Sequence, residues 1–453
     1  MTQINAMTAP ASTRYLALLA PGTAQALIAL DYAIVYVALP TLAHELNLSL
    51  SEMQWVVSLY GLTFAALLLL GGSLCDRLGA RHIFSIGMAL FLLSSVLGGL
   101  AQSGEMLLIA RCGQGVAAAL LQPAVLALMA QRFHGEAHRR ALAIWSSVGA
   151  LGLVAGVMLG GILAALDWRT IFFINVPPGL IALWLVRRDY LPLSQNGETH
   201  RTGIGALVGC AAAGALVWAM TRYAETGAVD YLANRLAVAM LLLFVLHERY
   251  APRPLLARSL RVLPGLQSGW LSSACYMASV GSQFYAMTLL WQQTLHQDPV
   301  TTGLMFTPLA LLIVAGNALY TRLSAHYSNA LVLGIGFACS ALGLWLLSIS
   351  LNDPLSAAFI LGVALSGLGH GLIFPAMFAV GLTEVPLQQQ GRASALMATS
   401  QYMAGAMMLA AISVILGASP TMTDWVAVFR VLCGAALVGM LVALCTGERQ
   451  TAK

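Results

Sequence analysis

The chain has 453 residues, of which 59% are hydrophobic and only 9% charged, whereas soluble domains carry about 25% charged residues. A mean hydropathy of +0.82 excludes a surface of ordinary polarity and predicts a protein embedded in a lipid bilayer. The net charge of +5 does not indicate a nucleic-acid partner, because the basic residues fall in short loops between apolar runs.

Apolar runs of about 20 residues, the length that crosses roughly 30 Å of hydrocarbon, recur about fourteen times. They predict an all-α, multi-pass membrane protein. The predicted spans are residues 15–39, 53–73, 82–101, 106–130, 139–165, 170–187, 203–221, 231–248, 265–292, 302–322, 329–350, 355–380, 392–417 and 425–445. Arginines concentrate in the loops on one side of these spans, which predicts two cytoplasmic termini in a bacterial-type inner membrane.

An internal repeat divides the chain. CDRLGAR (75–81) aligns with YTRLSAH (320–326), and LQPA (121–124) aligns with IFPA (373–376). Such repeats are typical of transporters that bind substrate near the membrane midplane, between two halves. The predicted parts are a cytoplasmic leader (1–14), a six-helix bundle (15–188), a linker with two inserted helices (189–262), a second six-helix bundle (263–446) and a cytoplasmic tail (447–453).

Asp31, in LDYAIVYVALP (30–40), is the only carboxylate placed deep inside a predicted span. An ionised, unpaired carboxylate costs several kcal/mol there, so it is expected to face a cavity and to be functional. Desolvation favours the neutral acid and a nearby cation favours the carboxylate. A proton and a cationic substrate are therefore predicted to compete for Asp31; a purely structural hydrogen-bond network is the alternative.

The loop segment GSLCDRLGARHIF (72–84) combines charges with two spaced glycines. Gly79 predicts a tight turn, and Gly72 predicts a close approach of the second helix to a neighbour. Asp76, Arg77 and Arg81 are predicted to contact the dipoles of adjacent helix ends. A simple cytoplasmic anchor is the alternative, although it explains the arginines only.

Arg111 lies inside the predicted fourth span, in LLIARCGQGVAAALLQPA (107–124). A guanidinium is always charged, so within a membrane it needs a carboxylate, water or carbonyl partner. Pairing with Asp31 and a purely structural role both remain open. Gln114 and Gln122 lie eight residues apart, near one helical face, and are expected to line the pathway.

The fifth span contains GALGLVAGVMLGG (149–161). Gly152, Gly156 and Gly160 recur every four residues on one face, so a partner helix can pack against them backbone to backbone, with Gly161 beside them. We expect this contact to seal the pathway against proton leak, with tight packing alone as the alternative.

Aromatic and amide side chains are concentrated in the second half of the chain. They suit flat or quaternary-ammonium compounds, through cation–π attraction and apolar contact, with an interfacial aromatic belt as the alternative. His370, between two glycines in a predicted span, is a candidate second proton or substrate site, or else a bundle histidine held by a hydrogen bond. The aromatic and amide residues are Gln283, Phe284, Tyr285, Trp291, Gln292, Gln401 and Tyr402.

These motifs together resemble the major facilitator superfamily. Residues 72–84 match its loop signature GxLxDRxGxRxxF, and residues 107–124 match LxxxRxxQGxxxA. Residues 149–161 resemble GxxGxxxGPxxGG, although Val157 replaces the proline. QWVVSLYGL (54–62) and DWRTIFFINVPPG (167–179) are similar to the fourteen-helix drug/proton antiporter branch, the EmrB/QacA subfamily.

The resemblance implies the major facilitator fold, with two pseudo-symmetric six-helix bundles plus two inserted helices. It also implies a conformational lock in residues 72–81 and help from Arg111 in proton transfer. We therefore expect a proton-coupled antiporter that exports hydrophobic, often cationic drugs or biocides by alternating access. A major facilitator exporter or carrier of an endogenous metabolite is the alternative.

Proton coupling is assigned to Asp31, Arg111 and His370. The expected protein is not an enzyme. We expect no cofactor, because the proton gradient drives transport, and no metal. The sequence contains no P-loop, so ATP is not expected to drive transport. It is expected to act as a monomer in the lipid bilayer, with an accessory partner left open. The substrate-binding candidates are Asp31, Tyr60, Gln122, Gln283, Tyr285, Gln401 and Tyr402.

Overall fold

The computed structural model describes residues 11–133, 135–189, 203–226, 228–251, 262–354, 356–386, 390–417 and 419–451. Most of the predicted leader, parts of the linker, the last two residues of the tail and the side chain of Asp76 lie outside this description. The described chain is helical. The first half contains α1 (Ala11–Leu46), α2 (Leu50–Leu78), α3 (Ala80–Gly99), α4 (Gly104–Arg132), α5 (Gly135–Asp167), α6 (Thr170–Phe173) and α7 (Val176–Asp189).

Two helices follow as a hairpin, and the second half comes after them. The hairpin is α8 (Gly203–Thr226) and α9 (Tyr231–Tyr250), and α8 packs against both α2 and the penultimate helix. The second half contains α10 (Pro264–Tyr276), α11 (Ser282–Leu289), α12 (Pro299–Leu323), α13 (Asn329–Ser350), α14 (Ala357–Leu382), α15 (Gln390–Leu416) and α16 (Met422–Thr451).

The same packing pattern occurs in both halves. In the first half, α2 and α3 both pack against α4; in the second half, α12 and α13 both pack against α14. The halves meet through α1 with α11 and α12, α2 with α15, and α5 with α12. The boundaries assigned to the two bundles from the sequence stay predictions.

Eleven of the described helices are long and apolar enough to cross a membrane. The chain is therefore a multi-pass membrane protein. Predicted spans that are not among these eleven fall on α2, on the shorter apolar helix Leu207–Met220 within α8, and on the interrupted stretch of α10 and α11. The count of fourteen stays a prediction.

The glycine periodicity of α5 produces the close packing that the sequence predicts, and the partner is α1. A Cβ atom built on Gly156 would lie 2.6 Å from the Leu30 carbonyl oxygen, and one on Gly160 would lie 2.9 Å from the Ile34 carbonyl oxygen. Gly152 makes an equivalent approach. Only glycine permits this separation, so α1 is held against α5 along its middle.

The turn between α2 and α3 depends on Gly79, whose φ of 84° lies in the region that side chains disfavour. The predicted tight turn is confirmed. The close approach predicted for Gly72 is wrong in this conformation, because a Cβ there would meet nothing within 4 Å. Gly71 makes it instead: its Cβ would lie 2.1 Å from the Ala119 carbonyl oxygen of α4. One residue changes the facing side of a helix by about 100°.

The first membrane stretch of the second half is not a regular α-helix. A π turn at Met277–Gly281 separates α10 from α11, and a second π turn at Leu290–Thr294 ends α11. Such turns are rare and are frequent at functional sites. Both lie beside the contacts between the halves that are described below.

Candidate functional site

Asp31 forms a buried ion pair with Arg111. Asp31 Oδ2 lies 2.6 Å from Arg111 Nη1, and the two side chains are 0% and 1% exposed. Arg111 also donates to the Val56 carbonyl oxygen at 3.0 Å, and its guanidinium lies 4.5 Å from the centroid of the Tyr60 ring. The Arg111 charge is thus compensated by a carboxylate, a carbonyl and an aromatic face, as its depth requires.

Two side-chain amides complete the surroundings of the Asp31 carboxylate. Gln114 Nε2 donates to Asp31 Oδ1 at 2.7 Å, and Asn175 Nδ2 donates to the same oxygen at 2.9 Å. Gln114 Oε1 in turn accepts from Arg111 Nη1 at 2.7 Å. Ser95 Oγ lies between the two amides, at 3.0 Å from Gln114 Nε2 and 3.3 Å from Asn175 Nδ2. We call Asp31, Ser95, Arg111, Gln114 and Asn175 the carboxylate network.

An aromatic layer borders this network and joins the two halves. Tyr32 is central to it: its ring lies 6.1 Å from the ring of Tyr60 and 6.1 Å from the ring of Tyr402, which belongs to α15. Tyr36 donates to the Tyr32 hydroxyl at 2.9 Å, and its ring lies 6.3 Å from that of Phe284 on α11. Aromatic faces from both halves therefore surround the middle of α1.

The second half brings one titratable pair to the same layer. Tyr276 Oη and His370 Nε2 share a hydrogen bond, and their ring centroids are 4.8 Å apart. The Phe284 ring lies 6.1 Å from that of His370. His370 is buried. The hydrogen bond fits the alternative of a histidine held within the bundle, and a role in proton coupling stays a prediction.

The halves also contact each other at the end of the bundle where α1 ends and α2 begins. Gln292 Nε2 donates to the Val37 carbonyl oxygen at 2.7 Å. A Cβ atom built on Gly161 would lie 2.4 Å from the Pro299 carbonyl oxygen of α12. Gly303 approaches α5 in the same way. These contacts hold the two halves against each other at that end in the conformation described.

The predicted substrate residues are not all gathered in one place. Tyr60 and Tyr402 lie in the aromatic layer. Gln283 is buried and donates to Ser366 Oγ at 3.1 Å, which directs its amide toward α14. The others are Tyr285, buried on α11, Gln401, buried beside Tyr402 on α15, and Gln122, half-buried on α4 two turns beyond Gln114.

The charged loop after α2 makes one of the contacts expected of it. Arg81 Nη2 donates to the Arg187 carbonyl oxygen at 2.7 Å, and this carbonyl belongs to the last turn of α7. A cation at a helix C-terminus is favoured by the helix dipole. Arg77 is exposed in this conformation. The proposed locking function stays a prediction.

Sequence reasoning missed several members of the site. Tyr32 and Tyr36 follow Asp31 at positions one and five, and tyrosines four residues apart on a membrane helix share a face, so that signal was present. Asn175 was quoted within a motif but was given no role. Ser95 and Tyr276 have no signal in a single sequence, because their importance comes from which helices pack beside them.

No group of three or more His, Cys, Asp or Glu residues that could hold a metal ion occurs within the part of the chain that the structure describes.

Curated relatives resemble the chain over most of its length. It is 33% identical to the cephamycin export protein CmcT of Amycolatopsis lactamdurans over 421 residues, which cover 90% of this chain and 86% of that protein. It is 34% identical to the puromycin resistance protein pur8 of Streptomyces alboniger, with 86% and 80% covered. The multidrug resistance protein Stp of Mycobacterium tuberculosis is 31% identical, with 86% and 73% covered.

Solved structures agree in fold. The POT family transporter PepTSo superposes with a TM-score of 0.71 at 15% identity, covering 96% of this chain and 98% of the other. The nucleoside transporter NupG gives 0.67 at 11% identity, covering 95% and 99%. The sequence model of the Major Facilitator Superfamily matches residues 22–407 and 269–452 of this chain. The chain therefore belongs to the Major Facilitator Superfamily and is a membrane transporter, not an enzyme.

Proposed function

We propose that this protein is a proton-coupled antiporter that exports hydrophobic, often cationic drugs, with Asp31 as the proton switch. Relatives that share 28–34% of its residues carry names of antibiotic export or resistance, namely cephamycin export and puromycin, methylenomycin A and multidrug resistance. These names support drug efflux as the class of activity. Assignment to the fourteen-helix EmrB/QacA branch, with cytoplasmic termini in a bacterial inner membrane, is part of the same proposal.

The observation that carries the proposal is the position of the ion pair. Asp31 and Arg111 form a buried, net-neutral pair. Arg111 contacts the aromatic layer directly, because its guanidinium lies against the ring of Tyr60, which is a member of that layer. When Asp31 is ionised, the pair adds no net charge beside that layer. When Asp31 is protonated, the Arg111 charge is uncompensated and disfavours a cation seated on the aromatic rings.

This arrangement changes the way in which proton and substrate compete. In the described conformation Asp31 is 0% exposed and both of its oxygens accept hydrogen bonds from the protein, so direct contact of a substrate with Asp31 requires another conformation. Competition through Arg111 and Tyr60 needs no such contact. By linkage, a cation that binds less well to the protonated protein must also weaken proton binding by the same factor.

The aromatic layer suits the proposed substrates. Tyr32, Tyr36, Tyr60 and Tyr402 present ring faces and hydroxyl groups from both halves, which can hold a lipophilic cation by cation–π attraction. Alternating access would separate the rings of the two halves and release such a guest. A role of His370 as a second proton site is retained as part of the proposal, with Tyr276 as its hydrogen-bond partner.

The test is substrate-driven proton movement in inverted membrane vesicles. An acid-interior gradient is set, candidate hydrophobic cations and puromycin are added, and proton release is followed with a pH-sensitive dye. We expect wild-type protein to release protons and Asp31→Asn to release none. Glu105→Gln makes the same carboxyl-to-amide change at the exposed start of α4 and should behave as wild type.

Two outcomes would contradict the proposal. Release by Asp31→Asn equal to that of the wild type would reject Asp31 as the switch. Release triggered by polar metabolites but by none of the hydrophobic compounds would favour the alternative, a major facilitator carrier of an endogenous metabolite.

A further inference from the structure

The side-chain amide of Asn175 is partnered on one side only. Asn175 lies between α6 and α7 and is 0% exposed. Its Nδ2 donates to Asp31 Oδ1 at 2.9 Å and to Ser95 Oγ at 3.3 Å. Its Oδ1 is buried and has no hydrogen-bond partner among the described residues. Buried polar atoms are nearly always bonded, so such an oxygen calls for a functional explanation.

The carboxylate network is arranged for the ionised form of Asp31. Arg111, Gln114 and Asn175 all donate to its two oxygens. Once a proton binds, the acid has an O–H group that needs an acceptor in the same place. Arg111 has no acceptor atom, and the protonated state therefore depends on one of the two amides.

Gln114 cannot supply that acceptor. Its Nε2 is the atom that faces Asp31 Oδ1, at 2.7 Å, while its Oε1 faces Arg111 Nη1, also at 2.7 Å. If the Gln114 amide turned over, its NH₂ group would face the Arg111 donor, and two donors would meet. Gln114 is therefore held in one orientation for as long as Arg111 stays in place.

Asn175 is free of this restriction. A half-turn about its last side-chain bond exchanges Nδ2 and Oδ1, so that Oδ1 faces Asp31. The side of the amide that points away from Asp31 is unpartnered at present, and it would be unpartnered after the half-turn too. The half-turn therefore exchanges an unpartnered acceptor for an unpartnered donor and leaves no further side of the amide without a partner.

We propose that Asn175 is the positioning residue that makes Asp31 titratable, by donating to its carboxylate through Nδ2 and accepting from its protonated form through Oδ1. This inference rests on the proposed role of Asp31 as the proton switch. It assigns to Asn175 the reversal of hydrogen-bond direction, and to Gln114 the fixed orientation of Arg111.

The groups that face Asp31 make no competing switch. Arg111 on α4 is the charged partner, and the Tyr60 ring on α2 lies against the Arg111 guanidinium. From α3 comes Ser95, which is neutral. The side of α1 that packs against α5 meets glycines there, and the neighbouring Tyr36 faces Phe284 of α11.

The direct test is infrared difference spectroscopy of reconstituted protein between two pH values, with asparagine isotopically labelled in the side chain. We expect one asparagine amide band to shift when Asp31 is protonated. This pH-dependent shift should be missing from Asp31→Asn, which has no proton to bind, and from Asn175→Leu, which lacks the amide. A wild-type spectrum in which no asparagine band changes with pH would overturn the proposal, and this measurement does not depend on the folding of any variant at position 175.

A second test is the pH profile of substrate-driven proton release. In Asn175→Leu, ionised Asp31 loses a hydrogen bond to a charged group, and protonated Asp31 loses one between neutral groups. The bond to the charged group is roughly twice as strong. The loss therefore favours the protonated state, and the midpoint of the profile should move up by about one pH unit, a tenfold change in proton affinity. Asn317→Leu makes the same replacement on α12 and should leave the midpoint unchanged.

The failures of the two proposals differ. If Asp31→Asn still releases protons, the switch itself is wrong. If Asp31→Asn is inactive while Asn175→Leu keeps the wild-type midpoint and still shows the pH-dependent shift of an asparagine band, then Asp31 is the switch and the role of Asn175 is wrong. An equal midpoint shift in Asn175→Leu and Asn317→Leu would also overturn it, because the effect would be general to lost amides.

Discussion

Breaking the buried ion pair from one side should destabilise the protein far more than removing it entirely. Arg111→Met leaves the Asp31 carboxylate buried with two amide donors and no cation. At 2.6 Å and an effective dielectric constant of about 20, the lost attraction is about 6 kcal/mol. Relaxation and proton uptake recover part of this, and the measured cost of removing one partner is typically about 3–5 kcal/mol.

The double variant Asp31→Asn/Arg111→Met removes both charges while keeping the shapes of the side chains. Replacing a complete buried pair with neutral groups is often neutral or stabilising, because the desolvation cost of both ions disappears. We therefore expect the free energy of unfolding of the double variant to lie within about 1 kcal/mol of the wild-type value. The destabilisation of Arg111→Met alone should shrink as pH falls, since a proton then neutralises the unpaired carboxylate.

The assay is unfolding by sodium dodecyl sulfate in mixed micelles, followed by the fluorescence of the nine tryptophans. Arg222→Met serves as control, because the Arg222–Asp230 pair at 3.3 Å is partly exposed and such pairs contribute little. Additive effects of the two single variants, within about 0.5 kcal/mol, would refute the reasoning, since independent sites add and a coupled pair does not.

Two further predictions concern helix packing and helix capping. Gly156→Val should lower the free energy of unfolding by about 1–3 kcal/mol through overpacking, because its Cβ would lie 2.6 Å from the Leu30 carbonyl oxygen. Gly214→Val is the control: a Cβ there meets nothing within 4 Å, so the loss should be clearly smaller. Equal losses in the micelle assay would contradict this prediction. At the start of α12, hydrogen bonds from Thr301 lower the pKa of Asp298, so its stabilising effect is full above its ordinary pKa of about 4 and is lost as pH falls through the lowered value. Asp298→Asn should keep the cap but remove that part of the acid dependence of thermal unfolding, and an unchanged acid dependence would count against it.

The sequence could predict two kinds of feature: those that follow from the free-energy cost of burying a charge, and those that follow from the regular spacing of residues along a helix. A carboxylate and a guanidinium deep in apolar spans must find partners, and Asp31 and Arg111 found each other. Glycines at a spacing of four residues require a close helix neighbour, and the Gly156 face packs against α1.

The remainder depends on the arrangement of helices in space. The sequence interpretation placed Gln283 in a substrate cavity, but α14 supplies Ser366 as a partner for its amide. It also omitted Asn175, which is 144 residues from Asp31 and yet donates to it. The cost of burial shows that a polar group needs a partner, but which residue supplies it depends on which helices are neighbours, and one sequence does not state that.

In the proposed mechanism, the distance between Arg111 and a cation on the other side of the Tyr60 ring determines how strongly substrate binding and proton binding are coupled. Arg111 lies 4.5 Å from the centroid of Tyr60, so a cation stacked on the opposite face of that ring would be about 9 Å from the guanidinium. At an effective dielectric constant of about 20, two charges at that distance repel by about 2 kcal/mol. That is a factor of roughly 30 in affinity, within the usual range of coupling between two sites. In the proposed mechanism, protonation of Asp31 therefore expels a cation through Tyr60 without either ligand touching the other's site.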